Sequence, residues 1–354
     1  MKKITLKLKA SQSRILVSTG AYENIMEHLA DAGLGPPFMV VSQKKVLSHV
    51  GKRPLGRNPV VTISDGERTK TLRTVSRLID AMLELGLTRQ STVIALGGGV
   101  VGDVAGFAAS IYLRGIAVVQ VPTTLLAQVD SSVGGKTGVN HAAGKNLIGC
   151  FHQPPLVIVD PGLLASLPER EYRSGLWEAL KYGVIRDRNL FDHFERRLPA
   201  ILRKEPRVLE DLVYRCLRIK ADVVGIDEKE SGLRRILNFG HTLGHAIEAA
   251  SHYRGIKHGE AVGHGMIAAT RIAQELRRIS GNEASRIVTA IQSIGALPSI
   301  ADLPVKEMMK SMRHDKKIRD GSIHFVLPRR VGTVDVEAGI SPKLVATVIR
   351  SLSQ

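Results

Sequence analysis

The first 160 residues alternate short apolar, β-branched runs with longer stretches in which apolar residues recur every three or four positions. "FMVVS" (38–42), "VVTIS" (60–64), "STVIALGG" (91–98), "IAVVQVP" (116–122) and "LVIVD" (156–160) have the unbroken apolar character of parallel strands covered on both faces. Between the second and third runs, "TLRTVSRLIDAMLELG" sets Leu72, Val75, Leu78, Ile79, Met82 and Leu83 on one helical face, and Gly86 supplies a stop. Repeated strand–helix–strand predicts an open α/β sheet of the Rossmann-like, nucleotide-binding kind. "MKKITLKLKASQSRILVS" alternates instead, as an edge strand does, and "GKRPLGRNP" (51–59) reads as a mobile loop. From Glu171 to about Met312 the period is helical. "SIHFVLP" and "GTVDVE" then suggest a small hairpin, and "SPKLVATVIRSLS" a capped C-terminal helix. The expectation is an α/β domain over 1–165 and a mainly α-helical domain over 166–354.

Composition narrows the functional classes. An apolar fraction of 44% over 354 residues supports a real core. No run approaches the length of a membrane span, and the N-terminus lacks the apolar stretch of a secretory signal. Two cysteines, Cys150 and Cys216, without CxxC spacing, fit a reducing cytoplasm. The net charge of +17 points to anionic ligands. The basic residues are spread along the chain and only 4% of residues are aromatic, so nucleic acid gains little support.

In the first half, "IALGGGVVGDVAGFAAS" (94–110) is a strand, a glycine turn and an apolar helix. Such a turn brings backbone N–H groups and a helix N-terminus close to a diphosphate. The G-x-G-x-x-G fingerprint is imperfect, since Gly97, Gly98 and Gly99 are contiguous before Gly102 and Asp103. In "SDGERTK" (64–70), Asp65 and Glu67 stand where a nucleotide fold presents carboxylates to a ribose, or where Asp65 or Thr69 would cap the next helix. "DSSVGGKTGVN" (130–140) looks like the end of an ATP-binding P-loop, but the position that demands the first glycine is Asp130, which would repel phosphate. Lys136, and Lys145 nine residues on, still suggest an anion.

The second half carries different chemistry. "GLWEALKYG" (175–183) sets Glu178 and Lys181 on one helical face. "LNFGHTLGHAIEAA" (237–250) does the same for His241 and His245, and "KHGEAVGHG" (257–265) adds His258, Glu260 and His264. Thr242 stands where a zinc protease would carry Glu, which disfavours that class. One carboxylate with two histidines is a common ligand set for a catalytic metal with open positions. Spacing leaves open which two histidines bind.

Taken in order, "DGERTK", "GGGVVGD", "YLRG", "VPTTLLAQVDSSVGGKTGVN", "GKNLIGCFHQP", "GLWEALKYG", "CLRIKADVV", "RRILNFGHTLGHAIE", "HGEAV" and "HDKK" closely resemble the 3-dehydroquinate synthase family. The resemblance implies a dehydroquinate synthase-like fold and conversion of 3-deoxy-D-arabino-heptulosonate 7-phosphate, a phosphorylated seven-carbon keto acid, to 3-dehydroquinate and phosphate. The route is transient NAD-dependent oxidation, phosphate elimination, reduction and intramolecular aldol closure, within the shikimate pathway. It implies NAD and a divalent metal, zinc or cobalt, as cofactors. The metal ligands would be Glu178, His241 and His258. NAD would meet Asp65, Glu67, Lys70, Gly99, Gly102, Asp103, Thr123 and Thr124, with Lys136 and Lys145 alongside. Substrate contacts and catalysis would fall to Asp130, Lys136, Asn146, Lys181, Lys220, Arg234, Asn238, His245 and one of Lys316 or Lys317. Arg114 would reach the partner's substrate in a homodimer. Another sugar-phosphate cyclase, such as a 2-deoxy-scyllo-inosose synthase, and a metal-dependent polyol dehydrogenase are the alternatives.

Overall fold

The computed structural model describes residues 1–314 and 323–352, so Lys316 and Lys317 lie outside the described residues. The chain divides into two compact units, residues 1–168 with 206–228, and residues 169–205 with 229–354. A single cut near residue 165 would assign 206–228 to the second unit.

In the first unit the elements run β1 (Lys2–Lys7), β2 (Gln12–Val17), α1 (Ile25–Asp31), β3 (Phe38–Gln43), α2 (Lys44–Val50), β4 (Val60–Ile63), α3 (Leu72–Glu84), β5 (Thr92–Gly97), α4 (Gly99–Ile111), β6 (Ala117–Pro122), β7 (Lys136–His141), β8 (Gly144–Phe151) and β9 (Leu156–Val159). Seven strands form one sheet in the order β1-β2-β9-β6-β5-β3-β4. β1 is the antiparallel edge and the other pairs are parallel. Alternation along the strands explains their unbroken apolar character. Met39, Val41, Val93, Ala95 and Val118 pack into one core layer with α3 and α4. Phe38, Val40, Ile94, Leu96, Val119 and Val121 pack into the other with Ile25 and Leu29 of α1. Each such side chain contributes roughly 1.5–3 kcal/mol on full burial.

Three details differ from the sequence expectation. On α3, Val75, Leu78 and Met82 are buried, but Leu72 and Leu83 are 51% and 60% exposed, because six apolar positions span more arc than the sheet covers. Gly86, at φ 64°, does end this helix. The cap at its start is Thr71, whose side chain accepts from the Thr74 N–H at 3.2 Å, rather than Asp65 or Thr69. The stretch 51–59 is anchored by fully buried Leu55.

The chain continues through α5 (Glu169–Ile185), α6 (Arg188–Leu202) and α7 (Pro206–Ile226). α7 belongs to the first unit, where it packs on β1 and β2. The second unit adds α8 (His241–Ala250), α9 (His258–Glu275), α10 (Gly281–Ser293), α11 (Val305–His314), the hairpin β10 (Phe325–Arg330) and β11 (Thr333–Glu337), and α12 (Pro342–Leu352). Its centre is α5 and α9, nearly every residue of which is buried from Tyr172 to Ile185 and from Gly259 to Thr270. α8 and α9 meet backbone to backbone. A Cβ on Gly265 would lie 1.8 Å from the Gly240 carbonyl oxygen, and one on Gly244 would lie 3.3 Å from Ala261.

Candidate metal centre and nucleotide-binding turn

In the second unit, α5, α8 and α9 bring Glu178, His241 and His258 together, with ligand atoms within 4.8 Å of one another. Glu178 is fully buried. The Nε2 atoms of His241 and His258 lie 3.2 and 3.4 Å from its Oε1, and the Lys181 ammonium lies against its Oε2. Neither oxygen accepts a geometrically well-formed hydrogen bond, so the carboxylate is held by ion-pair contacts alone. A buried carboxylate of this kind is costly unless cations surround it, and Lys181 is one.

The rings are oriented accordingly. His241 Nδ1 lies 3.2 Å from the Phe239 carbonyl oxygen, and His258 Nδ1 lies 3.2 Å from Glu248 Oε2. Both partners only accept, so each Nδ1 donates and Nε2, beside Glu178, is the atom that each ring would offer a metal. The donor set, one carboxylate oxygen and two imidazole nitrogens, fits a divalent metal with open positions. His258 is 32% exposed on its side chain, which leaves the group accessible.

Charge and burial compete here. Burial pushes the Glu178 carboxyl up, but Lys181 and His241 outweigh it and hold it well below the usual carboxylate range. Burial also lowers His241, to about 4, with Lys181 adding to the effect against the pull of Glu178.

The open question among the histidines is answered by placement. His264 donates from Nε2 to the Pro298 carbonyl at 2.8 Å, away from this group. The His245 ring stands edge-on to His241 at 5.5 Å between centroids and joins Glu248 and His258 in a second cluster. Arg234 is buried in the short turn Leu233–Asn238, and Asn238 donates to Glu230.

In the first unit, β5 pairs with β3 on the side away from β4, so the sheet order reverses there. Ligands of open α/β sheets bind outside the carboxyl ends of strands at such a reversal. The carboxyl end of β5 is Gly97, followed by Gly98 and the N-terminus of α4. Side chains at 98 and 99 would press on Thr124 and Ser131 at 3.0 Å, so glycines let the turn pack closely there, at the N-terminus of α4. Thr123 ties the turn to β6 by donating its N–H to the Gly97 oxygen at 2.9 Å.

Beside the turn, the buried Lys70 ammonium donates to Asp103 Oδ2 at 2.7 Å and to Asn146, and lies 3.6 Å from Glu67. Burial lowers its pKa, but Asp103 and Glu67 more than compensate and raise it overall. Asp65 is exposed. Lys136 opens β7 after the left-handed Gly134 and Gly135, and Lys145 lies half-buried in β8. A P-loop lysine opens a helix, whereas Lys136 opens a strand, which separates the two motifs physically. Asp130 pairs with the Lys220 ammonium at 2.8 Å. Arg114 is exposed and, with Leu113, adopts a left-handed backbone.

Sequence reasoning overlooked Glu248, Glu230 and Asn140, and it noted Glu260 without a role. Glu248 stands at positions 0, 4 and 7 with His241 and His245, a helical-face signal that was available. Glu230 accepts from Asn238. Asn140 donates to Glu67 at 2.9 Å and its Oδ1 accepts from the Asn146 N–H at 2.9 Å, joining the hairpin to the Lys70 cluster. Glu260 accepts from Arg170 and from the Lys257 N–H, fixing the start of α9.

Solved structures share this architecture closely. A 2-deoxy-scyllo-inosose synthase, complexed with carbaglucose-6-phosphate, NAD+ and Co2+, is 29% identical, covering 99% of this chain and 100% of that one at a TM-score of 0.87. A 2-epi-5-epi-valiolone synthase from Streptomyces hygroscopicus, with NAD+ and Zn2+ bound, is 28% identical over 98% of both chains at a TM-score of 0.89. A maleylacetate reductase from Agrobacterium tumefaciens, 17% identical at a TM-score of 0.69, shares the fold alone. The fold is thus that of the sugar-phosphate cyclases.

Within that class, the family models 3-dehydroquinate synthase N-terminal and 3-dehydroquinate synthase C-terminal match residues 60–174 and 175–318. A 3-dehydroquinate synthase from Koribacter versatilis is 52% identical over 82% of this chain and 79% of its own. One from Gloeobacter violaceus is 45% identical over 99% of each. The chain belongs to the 3-dehydroquinate synthase family.

Proposed function

We propose that the protein converts 3-deoxy-D-arabino-heptulosonate 7-phosphate to 3-dehydroquinate and phosphate, using NAD and a divalent metal, zinc or cobalt. The observation that carries this reading is the buried Glu178 carboxylate, held by ion-pair contacts and faced by two oriented imidazoles, in a chain whose relatives of 41–52% identity are 3-dehydroquinate synthases. The rival cyclases stand at 28–29%.

Glu178, His241 and His258 would hold the metal, and the Gly97–Gly99 turn with Glu67, Lys70, Asp103, Thr123 and Thr124 would hold the nucleotide. When bound, the metal supplies Lewis acidity toward a hydroxyl and the nucleotide a reversible hydride acceptor. Lys181 places a buried cation beside the metal ligands, where it would meet substrate negative charge. His245, next to the same group, would carry the proton exchanged at the substrate hydroxyl. Asp130, held by Lys220, would accept hydrogen bonds from substrate hydroxyls. Lys136, Lys145, Asn146, Arg234 and Asn238 would bind the anionic and hydroxyl groups of the substrate.

We also propose a homodimer in the cytoplasm. Ile111 and Leu113 are 46% and 41% exposed, and Phe151 is 44% exposed. Ile111 ends α4 and Leu113 lies in the short turn that follows it, with Arg114 next in the chain. Among the described residues no helix is long and apolar enough to cross a membrane.

The decisive experiment supplies the heptulosonate phosphate, NAD+ and Zn2+ and follows phosphate and NADH together. Phosphate release without net NADH supports the synthase. NADH accumulating from a polyol, with no phosphate released, sinks it.

A further inference from the structure

Among the described residues of the second unit, two clusters have the composition of metal sites: Glu178/His241/His258, and His245/Glu248/His258. His258 belongs to both. Its Nε2 lies 3.4 Å from Glu178 and its Nδ1 lies 3.2 Å from Glu248. One neutral imidazole has one lone pair, so it serves one metal at a time. A carboxylate can only accept, so Nδ1–H donates to Glu248 and, in the neutral ring, the lone pair is left on Nε2.

From this geometry we infer that Glu248 is a positioning residue for His258, and that the second cluster is support for the first rather than a second metal site. The inference rests on the metal reading given above.

The surroundings supply a reason for such a device. Glu248 is 6% exposed and sits on α8, two turns beyond His241, while His258 is the first residue of α9. A side chain in a first helical turn has fewer neighbours to fix its rotamer than one in mid-helix. The backbone there is clamped: Glu260 accepts the Lys257 N–H at 2.7 Å and Arg170 at 2.6 and 2.7 Å, and Ser174 Oγ accepts the Gly259 N–H at 3.0 Å. Those contacts fix the Cα of His258 but not its ring. At 32% exposure the ring needs its own restraint, and Glu248 is the side chain hydrogen-bonded to its Nδ1. His241, only 8% exposed, gets the same service from a backbone carbonyl.

The test is metal binding by the full chain without substrate, measured with Co2+ and with Zn2+ by chelator competition, together with the visible spectrum of the Co2+ form. The wild type takes up one metal per chain. Glu248→Ala weakens binding by about 10- to 100-fold and alters the Co2+ bands, since loss of such a partner typically has that effect. Glu248→Gln, which keeps shape and a neutral acceptor, falls between the two. The melting temperature of the metal-free variants separates this from a merely structural role, which would lower stability and leave affinity alone. Unchanged affinity and spectrum in both variants overturn the inference. So do two metals per wild-type chain with one lost in the variant. A wild type that binds no metal overturns the metal reading itself, which is a different and recognisable outcome.

Discussion

Burial with ion-pair contacts alone explains more about Glu178 than its place in any motif. Replacing it by Gln removes the charge that offsets Lys181 and a bound divalent cation. Glu178→Gln is expected to abolish turnover and weaken metal binding at least 100-fold, read by chelator competition; full activity in a metal-free preparation refutes the metal role. His264 teaches the opposite lesson. It looked equally able to bind metal, but its Nε2 is spent on the Pro298 carbonyl. Burial depresses its pKa, against the opposing pull of that carbonyl and of Glu260. The unfolded ring titrates near 6.5, so below about that pH the unfolded chain binds a proton that the folded chain refuses. Stability from this residue is therefore present above pH ~6.5 and falls as pH drops toward the folded value. His264→Gln, which can keep a donor to Pro298, should lose less stability than the wild type between pH 7.5 and 5.5 in denaturant melts. Equal losses would refute it. Sequence spacing could not separate His258 from His264, because both sit on α9 and only the identity of the atoms opposite distinguishes them.

At the scale of elements, the legible parts were those with a strong hydrophobic period. The five strands β3, β4, β5, β6 and β9 and helix α3 could be read directly, because apolar β-branched runs and a one-faced helix each leave a distinct pattern. β7 and β8 left none. They pair only with each other, are rich in glycine and are largely exposed, so no apolar alternation marks them. The site depends on a feature equally silent in a hydropathy reading: the glycines that let α8 and α9 touch. A Cβ at Gly265 would meet the Gly240 oxygen at 1.8 Å, and that atom is backbone with nowhere to go. Gly265→Ala must push apart the two helices that carry His241 and His258. Overpacking of this kind costs about 1–3 kcal/mol, and here a loss of metal affinity should accompany the lower melting temperature. Gly281→Ala is the control, since its nearest neighbour to an added Cβ is the tip of Gln274 at 3.8 Å. If Gly265→Ala retains both stability and metal affinity, the close approach is not what sets the ligand geometry.

For the molecule as a whole, the surface sets charge against exposed apolar side chains. A net charge of +17 favours a soluble, separate chain, yet Ile111 and Leu113 are exposed at the end of α4 and just beyond it, next to Arg114. Leu113 and Arg114 hold left-handed backbone at φ 48° and 69°, a conformation that costs a non-glycine residue of order 1 kcal/mol or more each. This strained backbone stands beside exposed apolar side chains, which fits the docking face proposed above. If that face joins two copies, a carboxylate at position 113 must be desolvated in place of an apolar side chain. Leu113→Asp is the sharpest probe, because Asp tolerates left-handed backbone better than Leu and the change leaves the folded subunit intact. Sedimentation velocity should show the wild type as a dimer and Leu113→Asp dissociating at least tenfold more readily, equivalent to ~1.4 kcal/mol. Activity of the variant should then rise with protein concentration, since Arg114 is proposed to act on the partner's substrate. A wild type that sediments as a monomer, or a variant that dimerises as tightly as the wild type, would remove this face from the interface and leave the strained backbone at 113–114 to serve the subunit's own loop.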